Sequence, residues 1–365
     1  MINRRDLIRA AAVATAAVPA GAITSQTRVD LSVMRLKLRH TWTTVMSSSD
    51  FRDVIYVAYV HDGLTGHGEG APIVRYNEEA RSGVQELERH RALMTTADPW
   101  EFEKLMAQLF KEIPSAYAAK SAVDIALMDW IGHKLSVPLY RYFGLDPKAA
   151  PVTTFSIGID DPSKTRQKVR EAAAYPVLKI KVGLDSDEAT IAAVRSVTQR
   201  PLRVDANEGW TNKEVALSKI QWLAKQGVEF VEQPMPADRL DDMRWIHERS
   251  PLPLIADESV RHPSDIPKLL GAFDGINVKL DKCGGIMEAY REIQIAKALG
   301  LKTMLGCMIS SSCTVTAAAH LSPLVDYADL DGNLLISNDP WHGVTVDKDG
   351  KLVLPDRPGL GLLPA

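Results

Sequence analysis

Five charged residues at the ends of five short apolar runs constrain this chain more than any other feature. The runs are LKIK, LRVDAN, FVEQP, LIADES and INVKL, and the residues are Lys181, Asp205, Glu232, Asp257 and Lys279. Successive members are separated by 24, 27, 25 and 22 residues. About 25 residues accommodate one strand, one helix and two loops, so the five sit on consecutive βα units. In a βα barrel every strand runs the same way and the C-terminal ends meet around one mouth. The spacing therefore predicts three carboxylates converging from adjacent strands, with a lysine on either side. Three hard oxygen ligands suit one divalent cation, Mg²⁺ or Mn²⁺. Flanking lysines suit proton transfer at two faces of one carbon.

Candidate barrel strands are TTFSIGI (153–159), VLKIKV (177–182), LRVDAN (202–207), EFVEQP (229–234), LIADES (254–259), GINVKL (275–280), KTMLGC (302–307) and YADLDG (327–332). An open doubly wound sheet is the competitor, but no GxGxxG follows any strand. Upstream, residues 29–39 and 53–61 alternate as strands do, and Asp62-Gly63 marks a hairpin turn. From Asn77 to about Gly144 the pattern is helical, with Val123, Leu127, Trp130 and Ile131 forming one apolar stripe. The last stretch reads as a hairpin around Asp349-Gly350 that returns to the first unit. The expected architecture is α/β: a TIM-type (β/α) barrel over residues 151–334, with an N-terminal α+β capping domain over 28–150 completed by 335–365.

A net charge of −3 offers no case for nucleic acid or an anionic membrane. No stretch after the first 25 residues is long and apolar enough to span a bilayer. The N-terminus has Arg4-Arg5 before Asp6-Leu7-Ile8, then an alanine-rich apolar run ending at Ala20-Gly21-Ala22. This resembles a twin-arginine export signal over residues 1–22, which would place the mature chain in a periplasm. Cys283, Cys307 and Cys313 form no CxxC pair and read as small buried side chains, although Cys283 and Cys307 could be neighbours.

A cap followed by a barrel with lysine, three acids and lysine on consecutive strands resembles the enolase superfamily, and within it the muconate-lactonizing-enzyme subgroup. The likeness covers nearly the whole mature chain: LKIKVG matches the Lys-x-Lys element, VDAN, VEQP and ADES the three metal strands, and NVKLDKCGG the second-lysine strand. Asp329-Leu330-Asp331 on the eighth strand resembles the dipeptide epimerases, whose best-known members interconvert L-Ala-D-Glu and L-Ala-L-Glu. That resemblance implies that Asp329 and Asp331 grip the substrate's ammonium, a role paired carboxylates suit. Two positions depart from the pattern. Relatives that take an acidic second residue often carry a cap-loop arginine where this chain has Val45 or Met46; Arg52 is near but not at the matching position. The seventh strand has Ser310 where relatives usually have glutamate.

The implied reaction is a 1,1-proton transfer at the α-carbon of the C-terminal residue of a dipeptide. Asp205, Glu232 and Asp257 hold one Mg²⁺ against the substrate carboxylate, while Lys181 and Lys279 work on opposite faces. Lys179 shares the strand face of Lys181, helps to depress its pKa, and is placed to touch the substrate carboxylate. Met46 and Ser310 are further substrate-site candidates, and Asn207 supports Asp205. Lys282 is the competing base, expected to face the loop; Glu258 is expected to point away from Asp257. His67-Gly68-Glu69 reads as a structural loop. A single acid at a strand end commonly caps the next helix; three in register with two lysines point to a site. Alternatives within the superfamily are an N-acylamino acid racemase, o-succinylbenzoate synthase or cycloisomerase. A non-catalytic periplasmic peptide-binding protein is the alternative from another class. A homo-oligomer is expected.

Overall fold

The computed structural model describes residues 27–365. Residues 1–22, where the sequence resembles an export signal, lie outside them. Three antiparallel strands open the cap: β1 (Arg28–Thr43), β2 (Ser48–His61) and β3 (Leu64–Gly70), in that order across the sheet. Asp62 and Gly63 turn β2 into β3 with φ of 51° and 72°, as a two-residue hairpin requires.

One helix, Tyr117–Leu135, lies across β3. Gly66, Gly68 and Gly70 alternate along β3, so all three face the helix. A Cβ on Gly66, Gly68 or Gly70 would stand 2.0, 1.9 or 1.9 Å from the carbonyl oxygens of Ala126, Ala122 and Ala118. Two strand residues span about 6.8 Å and four helix residues about 6 Å, so the two periods stay in step. GHGEG is thus a strand fitted to a helix, and His67-Gly68-Glu69 is no loop. The alternate residue Glu69 is fully buried and accepts hydrogen bonds from the Ser311 backbone (2.8 Å) and hydroxyl (2.5 Å).

The single apolar stripe read on this helix understates its burial: every residue from Ala118 to Gly132 is buried, because cap and barrel enclose it. Its polar residues tie the units together. Asp124 accepts from the Ile286 amide (2.5 Å) at the start of the barrel helix Ile286–Ala298. Asp129 accepts from the amides of His67 (2.8 Å) and Leu360 (2.6 Å), joining cap and C-terminal segment.

The barrel has eight parallel strands: β4 (Phe155–Ile157), β5 (Leu178–Lys181), β6 (Leu202–Asp205), β7 (Val228–Glu232), β8 (Leu254–Ala256), β9 (Gly275–Val278), β10 (Lys302–Gly306) and β11 (Tyr327–Asp329). They neighbour one another in chain order, and a parallel bridge between Thr153 and Ala328 closes the ring. Leu178, Ile180, Leu202, Val204, Val231 and Leu254 are packed in the large core shared with the helices. The alternate residues turn inward. Phe230, Ile255, Met304 and Tyr327 form a separate apolar plug, with the Arg203 guanidinium 4.9 Å over Tyr327. Two residues beyond Phe230, Ile255 and Tyr327 that plug gives way to Glu232, Asp257 and Asp329.

After the barrel, Leu38 bridges Ile336 and Trp341 packs on His67 (4.7 Å between rings), so these residues contact the cap. The hairpin around Gly350 sits elsewhere than expected: Gly350 accepts from Thr153, and Val152 bridges Lys351, at the entry to the barrel. Among the described residues no helix is long and apolar enough to cross a membrane. The three cysteines are unpaired; Cys307 lies beside Asp329, not Cys283.

Candidate active site

The mouth of the barrel collects the inward side chains at the C-terminal strand ends. Lys181 pairs with Asp205, and Asp205 with Glu232, in direct register; Asp257 and Lys279 follow just after β8 and β9. Oxygens of Asp205, Glu232 and Asp257 all lie within 4.8 Å of one another and are buried. The Lys181 ammonium donates to Asp205 (2.6 Å) and that of Lys279 to Asp257 (2.8 Å). The two lysines thus flank the acids.

Burial opposes ionisation of all three acids. For Asp205 it is outweighed by Lys181 and Lys179, and for Asp257 by Lys279 and Lys282, so both stay below the usual carboxylate range. Glu232 is pushed up to about 7 by burial and the neighbouring Asp205, which Lys179 only partly offsets. Its Oε2 has no hydrogen bond; Lys179 stands 2.7 Å away without hydrogen-bonding geometry. Three converging buried carboxylates, with one Glu232 oxygen left without a hydrogen bond and an all-oxygen donor set, fit a divalent cation such as Mg²⁺.

Lys179 lines the cavity while only 1% exposed, bridging Asp329 (2.7 Å), Glu232 (2.7 Å) and Asp205 (3.1 Å). Burial works against its charge, but these acids hold it well above the ordinary lysine value. Lys279 is likewise raised, Asp257 and the other acids outweighing burial and Lys179.

Across the cavity, Asp329 takes the Lys179 ammonium, the Ser156 hydroxyl (3.2 Å) and the Thr154 hydroxyl. Asp331 accepts from the Ser156 amide (2.5 Å), and burial beside Asp329 pushes it up to about 7. Asp329 is matched by Lys179, whereas among the described residues Asp331 has no ion pair. Met46 lines the same cavity from the loop between β1 and β2. Ser310 is buried away from it, its hydroxyl turned onto the Met308 carbonyl (2.8 Å). Asn207 does support Asp205, but through its backbone amide (2.9 Å); its side chain donates to Glu258 (3.2 Å). The cavity has a volume of about 130 Å³ and opens to solvent.

Lys282 does not face the loop. β9 ends at Val278, a single helical turn Leu280–Cys283 follows, and three residues of helix bring Lys282 back to the side of Lys279. Its ammonium donates to Asp257 Oδ1 (2.5 Å) and to the carbonyls of Asp257 (2.6 Å), Asn277 (2.9 Å) and Val260 (3.1 Å). Glu258 lines the cavity too, because β8 stops at Ala256 and strand alternation lapses after it. Sequence reasoning missed Asn277, which donates to Glu232 (2.9 Å), and Gln233, which accepts from the Asp257 amide (2.9 Å). Asn277 was findable: it lies two residues before Lys279, on the same strand face.

Comparison with known proteins agrees with this geometry. Residues 27–144 match the mandelate racemase / muconate lactonizing enzyme N-terminal domain, and residues 164–364 the enolase C-terminal domain-like family. The L-Ala-D/L-Glu epimerase of Bacteroides thetaiotaomicron is 41% identical over 100% of both chains. The L-Ala-D/L-amino acid epimerase of Pedosphaera parvula is 45% identical over 86% of this chain and 92% of its own. Among solved structures, the Enterococcus faecalis dipeptide epimerase complexed with Mg and L-Leu-L-Tyr superimposes with a TM-score of 0.86. It is 33% identical, over 93% of this chain and 99% of its own. Its barrel, its acid triad and these matches together establish that the chain belongs to the mandelate racemase / muconate lactonizing enzyme family of the enolase superfamily.

Proposed function

We propose that this protein is a Mg²⁺-dependent dipeptide epimerase that inverts the α-carbon of the C-terminal residue. The observation that carries the proposal is the arrangement of the mouth: a buried Asp-Glu-Asp triad flanked by Lys181 and Lys279, with Asp331 across the cavity. A dipeptide zwitterion has the matching charges, a carboxylate for the triad's end and an ammonium for Asp331. Stretched between them, its second α-carbon lies between the two lysines. Held by Asp205, Glu232 and Asp257, Mg²⁺ would supply positive charge against the substrate carboxylate as the α-proton leaves. Lys181 and Lys279 then exchange the proton on opposite faces, one as amine and one as ammonium. Lys179 stays protonated and fixes Asp205, Glu232 and Asp329.

An N-acylamino acid would leave Asp331 buried without a cation, so the free-amine substrate is favoured over the racemase reading. The test is a library of free-amine dipeptides and N-acylated amino acids, incubated in D₂O with Mg²⁺ and read by mass spectrometry. A one-dalton gain on free-amine dipeptides supports the epimerase. Gain on the N-acylated set alone moves the assignment to a racemase, and no gain on either overturns it.

We further propose that residues 1–22 direct twin-arginine export, so that the enzyme meets its peptides in the periplasm. Changing Arg4 and Arg5 to lysine in a fusion of this segment to a reporter should block export; unchanged export contradicts the proposal.

A further inference from the structure

The two oxygens of Asp205 are held differently. Oδ2 takes the ammonium groups of Lys181 (2.6 Å) and Lys179 (3.1 Å). Among the described residues Oδ1 accepts only from the Asn207 backbone amide (2.9 Å). That amide is set by an unusual stretch of backbone. Asn207 and Glu208 have φ of 42° and 66°, two successive non-glycine residues in the left-handed region. Such residues are strained and persist only where their surroundings over-determine them. Within the barrel, the Glu208 amide donates to the Gln233 carbonyl (3.0 Å), and its carboxylate accepts from the Ala237 amide (2.8 Å).

A further tie comes from the cap. After β3, Val74–Tyr76 form a single 3₁₀ turn, closed by the Asn77 amide on the Val74 carbonyl (3.0 Å). From that turn the Arg75 guanidinium forks onto Glu208, Nε to Oε2 (2.6 Å) and Nη2 to Oε1 (3.1 Å). The Glu208 side chain is only 10% exposed. Among the described residues this fork makes the only hydrogen bonds between the cap and residues 206–209. Without it, Glu208 would keep one amide for a largely desolvated carboxylate. A charge so bared turns out to water and takes its strained backbone with it. We propose that Arg75 is a positioning residue for the metal site. By holding Glu208 it fixes the Asn207 amide, and through that amide Asp205, so the cap raises affinity for the divalent cation without supplying a ligand. This rests on the metal site of the epimerase reading and adds to it a dependence on the cap.

The test is Mn²⁺ binding to the purified protein without substrate, followed by the electron paramagnetic resonance of free Mn²⁺. Native protein is compared with Arg75→Met, Arg75→Lys, Glu208→Gln and the Arg75→Met/Glu208→Gln double variant. Arg75→Met should weaken binding by about 10-fold, the low end for a group that supports a metal ligand. Arg75→Lys should recover part of the loss, keeping the charge but not the fork. Glu208→Gln should also weaken binding, and the double variant should bind no more weakly than Arg75→Met, because both changes act through one contact. Arg75→Lys and Glu208→Gln carry the comparison should Arg75→Met not fold. At saturating Mg²⁺, α-deuterium exchange by Arg75→Met should return to within about threefold of native. Unchanged Mn²⁺ affinity in the variants, even with a lowered Tm, would make Arg75 a tie between domains and overturn the inference. Losses that add in the double variant, or exchange that saturating metal does not restore, would overturn it too, and all three leave the epimerase intact. Native protein that binds no Mn²⁺ would overturn the metal reading itself and this inference with it.

Discussion

Replacing Lys282 with methionine removes one ammonium while keeping most of its stem. That ammonium makes four contacts, to Asp257 Oδ1 and to the carbonyls of Asp257, Asn277 and Val260, and is 2% exposed. Deleting one partner of a buried ion pair costs about 3–5 kcal/mol. Bared carbonyls add to this, about 1 kcal/mol or more each where water cannot reach them. Asp257 keeps Lys279, which limits the loss. The expected destabilisation is therefore about 3–5 kcal/mol, a large share of the roughly 5–15 kcal/mol typical of a folded protein. For a chain of this length the unfolding entropy corresponds to about 0.7 kcal/mol per degree, so Tm should fall by about 4–7 °C. The assay is urea and thermal unfolding of native and Lys282→Met protein in EDTA, so that bound metal contributes nothing. A change below about 1 kcal/mol would refute the reasoning. If Lys282 were instead the base, the variant would lose α-exchange while keeping its Tm.

Two further perturbations probe the frame around the site. Gly68→Ala pushes a Cβ to within 1.9 Å of a helix carbonyl that packing on every side prevents from retreating. Urea unfolding should report a loss of about 3 kcal/mol, the upper end for overpacking, and a loss under about 1 kcal/mol would mean that the helix can shift. Asp281 is buried and pushed up to about 8 by burial, with one oxygen on the Ala71 amide (2.8 Å) and the other unpartnered. Its folded pKa lies above the unfolded one near 3.8, so its stabilising contribution is complete below about pH 4 and is lost as pH rises through about 8. Asp281→Asn keeps the acceptor and should flatten the fall of stability between pH 5 and 8 by about 1.4 kcal/mol per pH unit. An unchanged slope would show that Asp281 ionises freely in the folded protein.

The chemistry was legible in sequence where residues sit on strands, because strand alternation and βα spacing fix both face and height. Lys181, Asp205 and Glu232 obey that rule, and Asp257 and Lys279 fall one position past their strand ends, still on the inward face. Legibility failed just beyond the strand ends. Glu258 and Lys282 sit where a bend or one helical turn replaces alternation, so a face assigned by counting is wrong there. Glycines spaced by two in GHGEG carried the strand signal for β3, but the eye follows side chains, and the partner helix that gives the spacing meaning is some 50 residues away. Ser310 was assigned by position on a strand whose chain has already turned into its loop, and it is buried instead. The burial of Lys179 depends on Asp329, 150 residues on, which no local pattern discloses.

The central claim is that two lysines share one proton transfer, and Lys181→Ala and Lys279→Ala test it most directly. Each variant is incubated with each epimer of a substrate dipeptide in D₂O and Mg²⁺, and both α-deuteration and inversion are followed. The account predicts that inversion falls by at least about 10²-fold in both variants, while each still exchanges deuterium into one epimer only, the opposite one in each case. Inversion surviving in either variant, or both variants exchanging the same epimer, would contradict it.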